Sequence, residues 1–440
     1  MFSKNLKGFS LGANLSIKRF GINAQKSSKF NTQALAFAAK KKEASRTKSA
    51  GFVRKPKQNK DKNANESDDH SAGSRNPIYY KPKVDLQIQP ITFEASIPEA
   101  ENKIFSINPE LCKKLGEKDL PGTLSETFDI VGNPGLVFRT ITRVSVEKIL
   151  ESSMVPQKKS LILDGEAGSG KSVALLQTVT CALNSDWFVI YASNTNSWVD
   201  SSLPYIPTPS NPNKFYQWTL VSSLLQQIKA INNIDVMRNK LRITSEKTLG
   251  KQKLASGSSI LDVIDIGIKT PSLSQDAFNI VLETIESQTD VPVMIAVDQI
   301  NTFYSKALYT DQKHNNIDSS QLLLVESILP YFGILNTKEH GDQIVPSKTL
   351  ARGIAIGATS KTDSRFVSQS LNKALNENQN KGCNVLKVSP FNPKETSTLL
   401  EHYRASSLLS ADPTDHSVLR MWAMTSGNPL KIHRKCTRFF

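Results

Sequence analysis

An α/β fold, with a parallel sheet between helices and a small helical unit near the C-terminal end, is what this 440-residue sequence predicts. Three observations carry that prediction. From about residue 160 onward, short apolar runs alternate with segments of helical period, the pattern of βα units and parallel strands. One strand-to-helix junction carries a glycine-rich G-x-x-x-x-G-K-S sequence. A later apolar run ends in an aspartate, Asp298.

The first strand, 160–163, enters the segment Gly165, Glu166, Ala167, Gly168, Ser169, Gly170, Lys171 and Ser172, and the apolar run Val173-Ala174-Leu175-Leu176 continues it as a helix to about 183. That context is what a phosphate-binding loop requires. Three glycines let the backbone curl so that successive N–H groups can face an anion. The helix adds the positive end of its dipole. Lys171 would reach the β- and γ-phosphates, and the Ser172 hydroxyl would ligate Mg²⁺. The expected class is therefore a P-loop NTPase fold, AAA+/STAND-like, that binds a nucleoside triphosphate.

The second strand is 187–192, followed by a loop broken at Pro204, Pro207, Pro209 and Pro212. A helix is expected over 215–231, where Trp218, Val221, Leu225 and Ile228 fall on one face. Residues 237–273 interrupt the alternation. Within them Arg238, Lys240, Arg242, Lys247, Lys251 and Lys253 stand against the acid Glu246, either a phosphate-contacting surface or a solvated loop. The next helix, 276–287, aligns Phe278, Val281, Leu282 and Ile285. The strand 291–298 then delivers Asp298 to its C-terminal edge, where the carboxylate would hold Mg²⁺ through a water. Gln299 follows, where many P-loop ATPases place a glutamate to activate water. An amide orients water but cannot accept its proton, and losing a general base forfeits about 10²–10⁴-fold in rate. Binding with slow hydrolysis or none is the expectation.

A further strand, 353–358, ends in Thr359-Ser360, where related ATPases sense the γ-phosphate. Ser360-Lys361-Thr362-Asp363 loosely matches a guanine-reading N-K-x-D, without its Asn. After a strand at 385–388, helices at about 391–404 and 417–424 and a restart at Ser426-Gly427-Asn428-Pro429 form a lid-like unit. The organisation expected is a core over 151–390 and a C-terminal helical lid over 391–440. Residues 84–150, interrupted by Pro90, Pro98, Pro109, Pro121 and Pro134, are expected to form an extended wrap with a helix at 144–150.

Charge divides the chain. Of the net +15, residues 1–83 hold 19 Lys and Arg against 5 acids, while the remainder carries 36 basic and 35 acidic residues. Residues 1–42 contain nine Lys and Arg and no acid, with Leu6, Phe9, Leu11, Leu15, Ile17 and Phe20 at amphipathic spacing. That is the composition of a mitochondrial transit peptide, with a nucleic-acid-binding tail as the alternative. Residues 43–83 are polar and basic, and disorder is expected there. No apolar run reaches the ~18 residues a membrane span needs. Cys112, Cys181, Cys383 and Cys436 show neither zinc nor disulfide spacing.

Taken together, Gly165 to Ser172, Asp186-Trp187 with Ser197-Trp198-Val199, Val297-Asp298-Gln299-Ile300-Asn301, Val388-Ser389-Pro390-Phe391-Asn392-Pro393-Lys394-Glu395 and Ser426-Gly427-Asn428-Pro429 are similar to the death-associated protein three family of mitochondrial small-subunit ribosomal proteins. The resemblance covers about residues 136–440. It implies a place in the head of the small subunit, in the mitochondrial matrix, among ribosomal proteins and ribosomal RNA, with contact to the large subunit. It also implies bound GTP or GDP with Mg²⁺ in a mainly structural role. Guanine over adenine rests on the resemblance alone, so ATP stays open. The competing readings are an active mitochondrial AAA+-like ATPase or GTPase, and a nucleic-acid-dependent NTPase. Gln299 argues against the first and the balanced body against the second.

Overall fold

A computed structural model of the chain describes residues 86–93, 98–154, 160–332, 348–366, 368, 371–372, 375 and 383–437. The expected transit peptide and the basic segment to residue 83 lie outside the described residues.

Five parallel strands form the central sheet: β1 (Ser160–Gly165), β2 (Phe188–Ala192), β3 (Val293–Asp298), β4 (Gly353–Ala358) and β5 (Cys383–Val388), in the order β5-β1-β4-β3-β2. The late strand β4 inserts between β1 and β3. Its register sets Ala358 level with Leu163 on one side and with Asp298 on the other. The loop after Gly165, Asp298 and Thr359 therefore meet along one sheet edge, although they are far apart in sequence.

The strands are apolar at nearly every position because both faces are covered. Ile162, Phe188, Ile190, Val293, Ile295 and Ala355 belong to one core cluster. Their alternates Leu161, Leu163, Val189, Tyr191, Met294 and Ile356 belong to the other. The helices that cover them are, in chain order, α1 (Pro109–Asp119), α2 (Leu124–Val131), α3 (Thr140–Met154), α4 (Lys171–Leu183), α5 (Trp218–Ile231), α6 (Ile260–Lys269) and α7 (Ser274–Ser287), followed by α8 (Pro393–Ala405), α9 (Asp415–Thr425) and α10 (Pro429–Cys436). Val221 and Leu225 of α5, Ile264 of α6 and Phe278 and Val281 of α7 are 0% exposed in the first cluster. Leu175, Leu176 and Val179 of α4 pack in the second with Leu111 and Leu115 of α1. Fully burying each such side chain contributes ~1.5–3 kcal/mol.

Several elements depart from the sequence reading. The segment expected to be extended holds α1 and α2 and an antiparallel pair, Ile104–Ser106 with Gly135–Val137. Pro109 does not break a helix; it starts one, because its missing N–H would be unpaired at N1 anyway, and the Asn108 side chain accepts from Glu110 N at 2.9 Å. Phe215 and Tyr216 form a short strand with Ile206 and Pro207, so the next helix begins only at Trp218. The basic insertion contains a hairpin, Lys247–Leu249 with Gln252–Leu254, and its second half is the core helix α6. Each C-terminal helix has its own start signal: a capping box at Asn392 and Glu395, another at Thr414 and Ser417, and Asn428 before Pro429.

Candidate nucleotide site

β1 brings the chain to Gly165 and α4 takes it away at Lys171. Gly170, the N-cap of α4, has φ +93°, and Gly168 has φ +75°, backbone conformations that a side chain would strain. Gly165 is required for another reason. A Cβ there would meet the Val388 carbonyl oxygen of β5 at 2.4 Å.

Lys171 is 5% exposed, and its ammonium donates to the carbonyls of Gly165 at 2.9 Å and Glu166 at 2.7 Å. Burial lowers its pKa to about 8, against the opposing charge of Asp164. The Ser172 hydroxyl donates to Asp298 Oδ1 at 3.0 Å, and Gln299 N donates to the same oxygen at 2.8 Å. The other oxygen, Oδ2, is buried with no hydrogen-bond partner among the described residues. Burial pushes the Asp298 carboxyl up to about 6, with the Ser172 and Gln299 bonds and the Lys171 charge opposing. A buried carboxylate left this poorly satisfied is costly unless a cation completes it. Ser172 and Asp298 therefore fit a Mg²⁺ ion, which takes one or two protein oxygens and leaves its other positions to phosphate and water. Among the described residues no cluster of three or more His, Cys, Asp or Glu could cage a metal unaided.

Behind the loop, Asp164 accepts from Lys387 Nζ at 2.6 Å and from Thr359 Oγ1 at 2.7 Å, with Lys361 Nζ at 3.6 Å. Burial pushes its carboxyl up, but these partners outweigh burial and hold it below the ordinary carboxylate range. Thr359 is thus bonded to the strand that carries the loop. Gln299 has φ +59°, and its side-chain oxygen accepts from Asn196 N at 3.0 Å. Asp298 and Asp363 are the carboxylates lining the cavity described below. Asp363 is paired with Arg365, whose hydrogen bond holds it low and makes it a poor base.

The loop is covered from the opposite side by the C-terminal helices. Asn428 Nδ2 donates to Ala167 O at 2.8 Å, and Leu430 N approaches Gly168 O at 3.5 Å. Arg139 ties the two sides together. Its guanidinium donates to Ser169 O at 2.9 Å, Ser389 O at 2.7 Å and Glu395 Oε1 at 3.0 Å, and it lies 4.8 Å from the centroid of the Phe391 ring. A cavity of about 700 Å³ opens between these parts. One end is polar, at Gly168, Lys171, Ser172, Asp298 and Thr359. The other is lined by Leu124 and Phe128 of α2, Leu136, Tyr403 and His433. His433 bridges Thr127 Oγ1 at 3.2 Å and Tyr403 Oη at 2.8 Å, and burial lowers its pKa, with Arg434 adding to the effect. A pocket of this size with convergent polar groups at one end and apolar walls at the other suits a nucleotide. A larger depression of about 1140 Å³, near Asn108, Asn184 and Asn232, is lined by Asp186 but by none of the residues expected to hold phosphate or metal.

The cavity lining includes Gly168, Gly170, Lys171, Ser172 and Asp298; Gly165, Glu166, Ala167 and Ser169 belong to the same loop and do not line it. Sequence reasoning missed Arg139, the contact of Asn428 and the α2 wall. Asn428-Pro429 was legible as a helix start, but nothing local pointed from it to Ala167. Arg139 carried no motif.

The model of the family described as mitochondrial ribosomal death-associated protein 3 matches residues 136–435. The chain belongs to this family. It is similar to the small ribosomal subunit protein mS29 of Schizosaccharomyces pombe, with 23% identity over 356 residues, covering 77% of this chain and 72% of that protein. The mS29 proteins of Mus musculus and Bos taurus are each 21% identical, covering 62% of this chain and 69% and 68% of their own. A chain from the solved E. coli MS115-1 HORMA:CdnC:Trip13 complex overlaps 73% of this one at 12% identity and a TM-score of 0.25, too low to bear on the fold. No described helix is long and apolar enough to cross a membrane.

Proposed function

We propose that this family member is a structural protein of the mitochondrial small ribosomal subunit that retains a Mg²⁺-bound purine nucleotide and turns it over slowly or not at all. The ribosomal part rests on the family and on the names of its relatives, and it carries with it a matrix location and neighbours that are ribosomal proteins and RNA. Contact with the large subunit is part of the same reading.

The nucleotide part rests above all on one observation: Ser172 and the buried, half-satisfied Asp298 meet beside a glycine loop whose lysine has no carboxylate partner within hydrogen-bond reach among the described residues. The residues that would hold the phosphates are Gly165, Glu166, Ala167, Gly168, Ser169, Gly170, Lys171 and Ser172, with Ser172 and Asp298 serving the metal. The β5-β1-β4-β3-β2 order, with one strand between the loop strand and the aspartate strand, supports a P-loop NTPase core of the AAA+ and STAND kind, and the covering unit from residue 391 supports a lid. Among the described residues the cavity lining offers no free carboxylate beside Asp298, and this, with the engagement of Gln299 with Asn196, favours retention over hydrolysis. GTP or GDP is the nucleotide the family resemblance favours, and ATP fits the same phosphate site.

Denaturing extraction of the natively purified protein, followed by chromatography of the released nucleotide, tests this. One guanine nucleotide per chain is expected from wild type and none from Lys171→Ala. An empty wild-type protein sinks the nucleotide reading. A wild-type protein absent from small-subunit particles on a sucrose gradient sinks the ribosomal one.

A further inference from the structure

We infer that the closed excursion from Leu241 to Ile260, together with the short helix Ile234–Asn239 before it, is an anchored platform for RNA phosphates, with Arg238, Lys240, Lys251 and Lys253 as its contacts. The inference rests on the ribosomal reading and deepens it by naming a surface.

The sequence left this segment between a phosphate surface and a solvated loop. Packing decides against the loop. Met237, Leu241, Ile243, Leu249 and Leu254 are 8% exposed or less and belong to the main core cluster. The base of the excursion is stitched shut by Ile243 N to Ser258 O at 3.0 Å, Gly257 N to Ile243 O at 2.8 Å and Ile260 N to Leu241 O at 2.9 Å. The Ser259 hydroxyl donates to Met237 O at 3.0 Å, and Arg242 Nη1 donates to Gly257 O at 2.8 Å. Inside the closed base, the hairpin Lys247–Leu249 with Gln252–Leu254 points its leucines into the core. A segment anchored this way fixes the backbone from which its outward side chains project, so a ligand binding them pays ordering entropy for the side chains and not for the loop.

The outward side chains are cations. Arg238, Lys240, Arg242, Lys251 and Lys253 are all exposed. Lys247 pairs with Glu283 at 2.8 Å and Arg242 is bonded to backbone, but Arg238, Lys240, Lys251 and Lys253 form no ion pair among the described residues. Residues 237–259 carry six Lys and Arg and one acid, a net +5, whereas residues 84–440 as a whole carry only +1. The body outside this segment is therefore slightly acidic, so the excess is local. Unpaired cations concentrated on an anchored protrusion of a nearly neutral body match a polyanion, and the polyanion at hand in a ribosome is RNA. Base-reading aromatics are absent from residues 237–259, so the contact expected is to phosphate and shape, without sequence preference.

The test compares full-length wild type with a variant carrying Arg238→Ala, Lys240→Ala, Lys251→Ala and Lys253→Ala. A second variant replaces Lys148, Lys306, Lys313 and Lys394, four lysines outside the segment, with Ala; the probe is a fluorescent 30-nucleotide RNA titrated at several salt concentrations. Each lost phosphate contact lowers the slope of log K against log salt by about 0.7–0.9. The first variant should lose about 3 in slope and release from small-subunit particles at lower salt, with an unchanged melting temperature. Equal slopes for wild type and the first variant overturn the inference, as does an equal loss in the second variant. Wild type that binds the RNA through these residues yet never sediments with small subunits would instead remove the ribosomal reading and leave the surface standing.

Discussion

Asp298 is where stability and binding oppose each other. Its carboxyl is raised from 3.8 to about 6, first by burial. A carboxyl raised in the folded state favours the protonated form, so its cost to the fold is absent below about pH 4 and grows as pH rises towards 6 and above. Asp298→Asn keeps an oxygen for the bonds from Ser172 and Gln299 but leaves an unpaired N–H₂ where Oδ2 lies. Relative to wild type, the nucleotide-free Asn variant should therefore gain ~2 kcal/mol of stability between pH 4 and pH 7. It should also lose Mg²⁺-dependent nucleotide affinity. Urea denaturation of both proteins across that pH range measures the first, and a pH-independent difference would refute the assignment. The residue could be chosen from sequence because an apolar run ending in Asp is a local pattern. Its unpaired oxygen could not, because burial of that atom depends on the glycine loop and the neighbouring strands closing around it.

Helix α8 shows how an element's start signal can also hold a distant part of the chain. Asn392 and Glu395 form a capping box legible in the sequence, with Pro393 at the first helical position. The same Glu395 accepts from Arg139 at 3.0 Å, and both side chains are less than 8% exposed. Glu395→Ala removes the side-chain half of the capping box, leaving the Asn392 cap, and strands a buried guanidinium, and breaking such a pair from one side costs ~3–5 kcal/mol. We expect a loss of at least ~3 kcal/mol by chemical denaturation, and a loss below ~1 kcal/mol would show the pair to be incidental. The cap followed from residues three apart. The pairing joins residues 256 apart and has no local signature.

At the scale of the molecule, the cavity is enclosed by parts that lie before, within and after the sheet in the chain: α2 and Arg139 before it, the loop and Asp298 within it, and α8 and α10 after it. A ligand held at such a junction should stabilise all of them together. At a hundredfold excess over Kd, a bound nucleotide contributes ~2.7 kcal/mol. Adding GDP and Mg²⁺ to nucleotide-free protein should raise the thermal midpoint by a few °C in wild type and not in Lys171→Ala. Equal shifts in both would place the ligand elsewhere.

The alternation of core strands and helices, the glycine loop and the aspartate strand were determined by the sequence itself, since each depends on periodicity and neighbours within one or two turns. The basic insertion was visible too, though not whether it was packed. Tertiary structure alone decided that β4 enters between β1 and β3, that Arg139 and Asn428 close over the loop, and that α2 completes the cavity. Those are contacts between residues far apart in the chain. Local propensity says nothing about which distant surfaces will meet, and burial, which assigns the cost of every polar group at the site, exists only once they have.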